Sequence, residues 1–199
     1  MKTFFLLSVV ALLPVILSAL IYLAERTKAV RKLPYAVRQL IIGILFGGLA
    51  ILGTEFGVKT DGAVINARDA SPICAGLLFG APAGIIAGLI GGVERWFAVL
   101  WGAGQYTRLA CSISTVLAGL FAAGLRKFMF DNKKPKWYYC LAAATITEVI
   151  HMLMIFLTTM TDARTAFSFV RTCSFPMIAV NSLAVMLAGL LLSILSGAD

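Results

Sequence analysis

Residues 69–101 read DASPICAGLLFGAPAGIIAGLIGGVERWFAVLW, and the way this stretch meets a membrane decides the fold. Gly80-Ala81-Pro82 divides it. Proline suits the first turn of a helix and disrupts a helix interior. The break therefore predicts two helices, roughly 69–79 and 82–100. The first is short for a full crossing, since a span needs about 20 residues, so a partly re-entrant hairpin is expected. Glycines recur at 76, 80, 84, 88 and 92. That spacing makes a smooth face which lets a neighbouring helix approach closely. One continuous kinked helix over 69–92 is the competing reading, and it would put Arg68 and Arg95 on opposite sides of the membrane.

The rest of the chain supports a membrane setting. Of its 199 residues, 60% are hydrophobic and only 13% charged, and the mean hydropathy is +0.95. Soluble domains are about a quarter charged. Apolar runs of membrane-spanning length recur without the alternation of a barrel strand. The expectation is an all-α, polytopic helical bundle of six to seven membrane segments, with no second soluble domain. The run from Phe4 to Leu23 is longer than a signal-peptide core and reads as an uncleaved helix.

Charge sets the topology. Arg26, Lys28, Arg31, Lys32 and Arg38 form one basic cluster. Arg126, Lys127, Lys133, Lys134 and Lys136 form another. Basic residues mark cytoplasmic loops, so both clusters are expected inside. The net charge of +8 is explained this way, without nucleic acid. Helices at about 3–24, 38–56, 108–127, 137–159 and 171–196 then alternate, with the N-terminus outside and Asp199 cytoplasmic. The stretches Val58–Asp69 and Thr161–Phe169 fall outside, and the 69–100 hairpin begins and ends there. Residues 1–37 form a first helix and basic loop, and 38–199 the main transmembrane domain.

Polar groups at membrane depth are costly, and each is a functional candidate. Asn66, Arg68 and Asp69 open the third segment. Glu94 and Arg95 lie late in the fourth, with headgroup-level placement beside Trp96 and Trp101 as the alternative. Cys111 and Ser114 share a face of the next helix, and packing alone would also explain them. Glu148 and His151, at i and i+3, follow Thr147 in the sixth, where a plain core histidine is the other reading. Arg108 reads as an interfacial anchor and Asn181 as helix–helix glue. Guanidinium groups hold carboxylates bidentately. The expected site for a small anionic ligand is therefore Asn66, Arg68, Arg95, Cys111, Ser114, Glu148 and His151, in the outer half of the bundle. Cys74, Cys111, Cys140 and Cys173 form no CxxC pair, so neither a disulfide framework nor a zinc site is expected. No motif calls for a metal, a cofactor or an enzymatic activity.

Several of these residues resemble the five-transmembrane receptors of LytS type. The similar pieces are Asn66-Ala67-Arg68, Phe79-Gly80-Ala81-Pro82-Ala83-Gly84, Gly91-Gly92-Val93-Glu94-Arg95, the Cys111–Ser114 face and Leu117-Ala118-Gly119, covering roughly residues 38–195. The segment from Trp96 to Thr107 is longer than in compact members. The resemblance implies a bacterial inner-membrane input domain of a histidine kinase or diguanylate cyclase, with Arg68, Arg95, Cys111 and Ser114 as binding side chains. It also implies a homodimer and a cytoplasmic output domain or partner, with no output domain expected in these residues. The fold is distantly similar to the solute-binding S-components of energy-coupling factor transporters, which is the alternative function.

Overall fold

The computed structural model describes residues 2–60, 63–102, 104–159 and 162–197. Thr161 and Asp199, which figure in the expected topology, lie outside them. Helix α1 spans Lys2–Ala24, and a short α2, Lys28–Arg31, leads into α3, Tyr35–Glu55. A two-stranded antiparallel ribbon follows, with β1 at Val58–Thr60 and β2 at Ala63–Ile65. Helix α4, Ala70–Cys74, continues as a π-helical turn through Phe79. Then come α5, Ala81–Phe97, α6, Arg108–Gly124, α7, Trp137–Thr158, and α8, Ala163–Ser196. Six helices are long and apolar enough to cross a membrane, and Ala70–Phe79 is a shorter apolar helix.

Six helices close a ring in the order α1, α3, α5, α6, α7, α8, and α4 fills its centre. Every residue from Ala70 to Phe79 is buried. The expected short segment is thus a re-entrant half-helix shielded from lipid, and the continuous kinked helix is ruled out. Non-helical backbone at membrane depth survives only where protein satisfies it. Here Gly80 turns the chain at φ 155°, and the Gln39 side chain serves both cut ends. Its Nε2 donates to Phe79 O at 3.2 Å, and its Oε1 accepts from Ala83 N at 3.2 Å. Arg126 donates to Leu77 O and to Asn132 O. A cation thus sits where the carbonyls of the half-helix carry partial negative charge.

The glycine ladder belongs to the ring. A Cβ on Gly84 would lie 2.5 Å from Gly76 Cα, and one on Gly119 would lie 2.3 Å from Gly84 O. Backbones of α4, α5 and α6 therefore touch directly, as small residues allow.

The two basic clusters meet at one end of the bundle. Arg26 donates to Leu195 O at 3.1 Å, Lys134 Nζ stands 4.2 Å over the Tyr22 ring, and Arg38 is 3.9 Å from Glu25. Burial pushes the Lys134 ammonium below its usual range.

Two boundaries differ from expectation. Helix α8 starts at Ala163, so most of the expected Thr161–Phe169 loop is helical. Asp162 caps it, accepting from Thr165 N at 3.2 Å, and the polar residues Arg164, Ser168, Arg171 and Thr172 ride on a helix that outruns the hydrocarbon. At about 1.5 Å per residue, its 34 residues exceed the ~30 Å core. The 58–69 stretch, expected as an outside loop, folds inward: Val64, Ile65, Asn66, Arg68 and Asp69 are all buried.

Candidate functional site

The buried charged residues Arg68, Asp69, Arg95, Glu148 and His151 gather away from the basic clusters. The turn after β2 brings Asn66, Arg68 and Asp69 down onto the start of α4. Its shape is held locally and from α8. Asn66 Oδ1 accepts from Arg68 N at 3.2 Å, and Asn66 Nδ2 donates to Val64 O at 2.9 Å. Asn181 Oδ1 accepts from Ala70 N at 2.8 Å, while its Nδ2 donates to Asn66 O at 3.1 Å. Asn66 is therefore a scaffold residue, and the glue expected of Asn181 joins α8 to this turn.

Arg68 is fully buried. Its Nε donates to Thr115 Oγ1 at 2.6 Å and lies 3.2 Å from Asp69 Oδ1. Among the described residues, the two terminal nitrogens make only long contacts, Nη1 to Thr54 Oγ1 at 3.5 Å and Nη2 to Cys111 O at 3.4 Å. The strong bonds are on one edge of the guanidinium, and the fork of terminal donors is weakly used. Thr115 completes the pairing by donating to Asp69 Oδ1 at 2.6 Å.

Arg95 is also fully buried within the protein. Two 3₁₀ turns, Ala98–Trp101 and Gln105–Thr107, follow α5. Arg95 Nη2 donates to Gly104 O at 2.7 Å and to Thr107 Oγ1 at 3.2 Å. Both arginines and His151 neighbour the Cys111 thiol. Arg108 instead turns outward, stacking 3.9 Å over the Trp96 ring.

Helix α7 contributes Glu148 and His151 from one face, both fully buried. His151 Nδ1 is 2.8 Å from Asp69 Oδ2 and 3.6 Å from Glu148 Oε2. His151 Nε2 is 3.3 Å from Cys111 Sγ. Asp69, Glu148 and His151 each bring one oxygen or nitrogen to within 4.8 Å of the others.

Ser114 stands apart. It is buried, its hydroxyl makes no hydrogen bond, and it lines a different space. A cavity of about 660 Å³ runs along the α6–α7 seam, bounded by Ser114, Thr147, Leu117, Phe121, Phe128 and Ile150. The structure thus joins Arg68, Arg95, Cys111, Glu148 and His151, with Asn66 supporting and Ser114 alongside. Sequence reasoning missed Thr54, Thr107 and Thr115 as partners. Thr115 lies one helical turn from Cys111, a signal that could have found it. Asp69 was seen beside Arg68, but its link to His151 crosses 82 positions of chain.

A family model described as 5TMR of 5TMR-LYT matches residues 21–194. Among curated proteins, the sensor histidine kinase BtsS of Escherichia coli is 29% identical over 147 residues, covering 72% of this chain and 25% of BtsS. The sensor histidine kinase YpdA of Escherichia coli is 25% identical over 146 residues, covering 73% of this chain and 25% of YpdA. The sensor protein LytS of Bacillus cereus is 31% identical over 146 residues, covering 70% of this chain and 23% of LytS. The chain spans about a quarter of the length of these relatives. No solved structure matches it.

Proposed function

From the premise that the chain belongs to the 5TMR-LYT family, and is a multi-pass transmembrane sensing domain of a signal-transduction receptor in the bacterial inner membrane, we propose that it senses a small carboxylate bound between Arg68, Arg95 and Cys111. The supporting observation is the weakly used donor fork of Arg68, two fully buried guanidiniums being gathered about one thiol. Guanidinium forks match carboxylate geometry, and burial strengthens each charge-assisted bond. The site faces the end remote from the basic clusters, and by the positive-inside rule that end is the outside.

The signal leaves through α8. Asn181 ties this helix to the Arg68 turn, and α8 ends among the basic residues, which we place in the cytoplasm. There it feeds a dimeric output of histidine-kinase type, the class named for BtsS and YpdA. A ligand shifts such a switch only by its differential affinity for the two states. The transport-component reading has less support. Its candidate coupling surface, the glycine ladder, is occupied by contacts among α4, α5 and α6.

Thermal unfolding of the purified domain against short mono- and dicarboxylates tests the site. Binding raises apparent stability by RT ln(1 + [L]/Kd). A carboxylate-specific rise that disappears in Arg95→Gln and shrinks in Arg68→Lys is expected. A rise that survives both changes, or no rise with any carboxylate, rejects the proposal.

A further inference from the structure

Glu148 poses a problem that the carboxylate pocket does not solve. It is fully buried, and among the described residues neither of its carboxylate oxygens has a partner within hydrogen-bond geometry. A buried carboxylate is costly without a compensating partner. Its neighbour His151 Nδ1 stands 3.6 Å away, beyond hydrogen-bond distance. Asp69 Oδ2 lies 2.8 Å from the same nitrogen, an ion pair when His151 is protonated. Three Lewis-basic atoms thus converge on one point, and pairing of a protonated His151 with Asp69 Oδ2 at 2.8 Å would still leave Glu148 without a hydrogen bond.

We propose that Asp69 Oδ2, Glu148 Oε2 and His151 Nδ1 bind a first-row divalent cation of the zinc or manganese type. The geometry suits it. Ligand bonds of about 2.0–2.2 Å around one ion put neighbouring ligand atoms roughly 2.8–3.6 Å apart, the lower end for right-angle ligands. The observed separations from Nδ1 are 2.8 and 3.6 Å, and all three atoms lie within 4.8 Å of one another. The motif suits it as well. Glu148 and His151 form a Glu-x-x-His pair projecting inward from one helix, the arrangement by which carboxylate-rich bundles hold metals. One imidazole with two carboxylates is a donor set for zinc or manganese.

The surroundings are those of a metal site. Arg68 and Thr115 both engage Asp69 Oδ1 and leave Oδ2 to point at the cluster. Cys111 Sγ meets the far ring nitrogen of His151 at 3.3 Å, which fixes the imidazole's orientation. Outer partners of this kind hold first ligands in place. Charge agrees too. Two carboxylates meet one guanidinium, that of Arg68, and a dication would supply the second positive charge in place of a proton on His151. The cation site adjoins the carboxylate pocket through Arg68 and Cys111, but its three ligand atoms are not those proposed for the carboxylate.

The test uses the purified domain, freed of metal with a chelator and dialysed against Zn²⁺ or Mn²⁺. Bound metal is counted by elemental analysis. One ion per chain is expected, held at least tenfold more weakly by Glu148→Gln. X-ray absorption of the zinc-loaded protein gives a second measure that needs no variant. An oxygen and nitrogen shell at about 2.0–2.2 Å with no sulfur is expected. A sulfur shell at about 2.3 Å overturns the ligand assignment. No saturable ion, or equal binding by a folded Glu148→Gln, overturns the site.

Discussion

His151 Nδ1 lies 2.8 Å from Asp69 Oδ2, with both side chains fully removed from solvent. This contact fastens the middle of α7 to the turn that opens the re-entrant helix, and it binds the wall of the ring to its centre. Asp69 also compensates Arg68. Removing its charge leaves a buried guanidinium without its carboxylate. Asp69→Asn is expected to cost about 3–5 kcal/mol, read as a lower midpoint in denaturant unfolding. His151→Gln should cost less, because Arg68 keeps its partner.

Gln39 closes the Gly80 break from α3, a helix 40 positions away in sequence. In Gln39→Leu the Phe79 carbonyl and the Ala83 amide both lose their partner. Each buried orphan costs about 1–3 kcal/mol. The unfolding midpoint should fall accordingly, and an unchanged midpoint would mean that other groups satisfy the break.

Two glycines should respond oppositely to alanine. At Gly84 a Cβ meets the backbone of Gly76 at 2.5 Å, so α4 and α5 must separate. Overpacking of this kind costs roughly 1–3 kcal/mol. At Gly48 nothing lies within 4 Å of the new methyl. Alanine there should stabilise α3 by about 0.5–1 kcal/mol. Paired thermal melts of the two variants check both signs.

The cap on α8 should be pH-dependent. Asp162 accepts from the hydroxyl and the amide of Thr165, and these bonds hold its carboxyl below the usual range. A carboxyl with a depressed folded pKa stabilises the fold above its ordinary value. That contribution is lost as pH falls through the depressed one. Amide exchange over residues 163–169, corrected for intrinsic rates, should therefore accelerate in acid. Asp162→Ala should exchange fast at every pH.

All four cysteines are free and buried. A maleimide should leave them unmodified in the native domain and label all four after unfolding. Fast labelling of Cys111 in the native state would show that the site opens readily.

Much of this was legible along the chain. Periodicity and hydropathy located the long helices, all but the start of α8 to within a few residues, because a lipid solvent demands uninterrupted apolar runs and admits few alternatives. Gly80-Ala81-Pro82 announced the break for the same reason, since backbone cannot be left unsatisfied there. The two basic clusters implied one shared end, and the fold brings them together. Arg68, Arg95, Glu148 and His151 stood out as ionisable groups where ionisation is expensive. Which of them meet was decided only by the tertiary structure. Asp69 faces His151, Thr115 bridges Asp69 and Arg68, and Gln39 caps Gly80, because six helices close around a seventh and bring distant turns to one depth. Ser114 shows the converse. It shares a face with Cys111 by helical spacing, yet a loose α6–α7 seam leaves it lining a separate cavity. Spacing along one helix states which side chains share a face, and only the packing of neighbouring helices determines what that face meets.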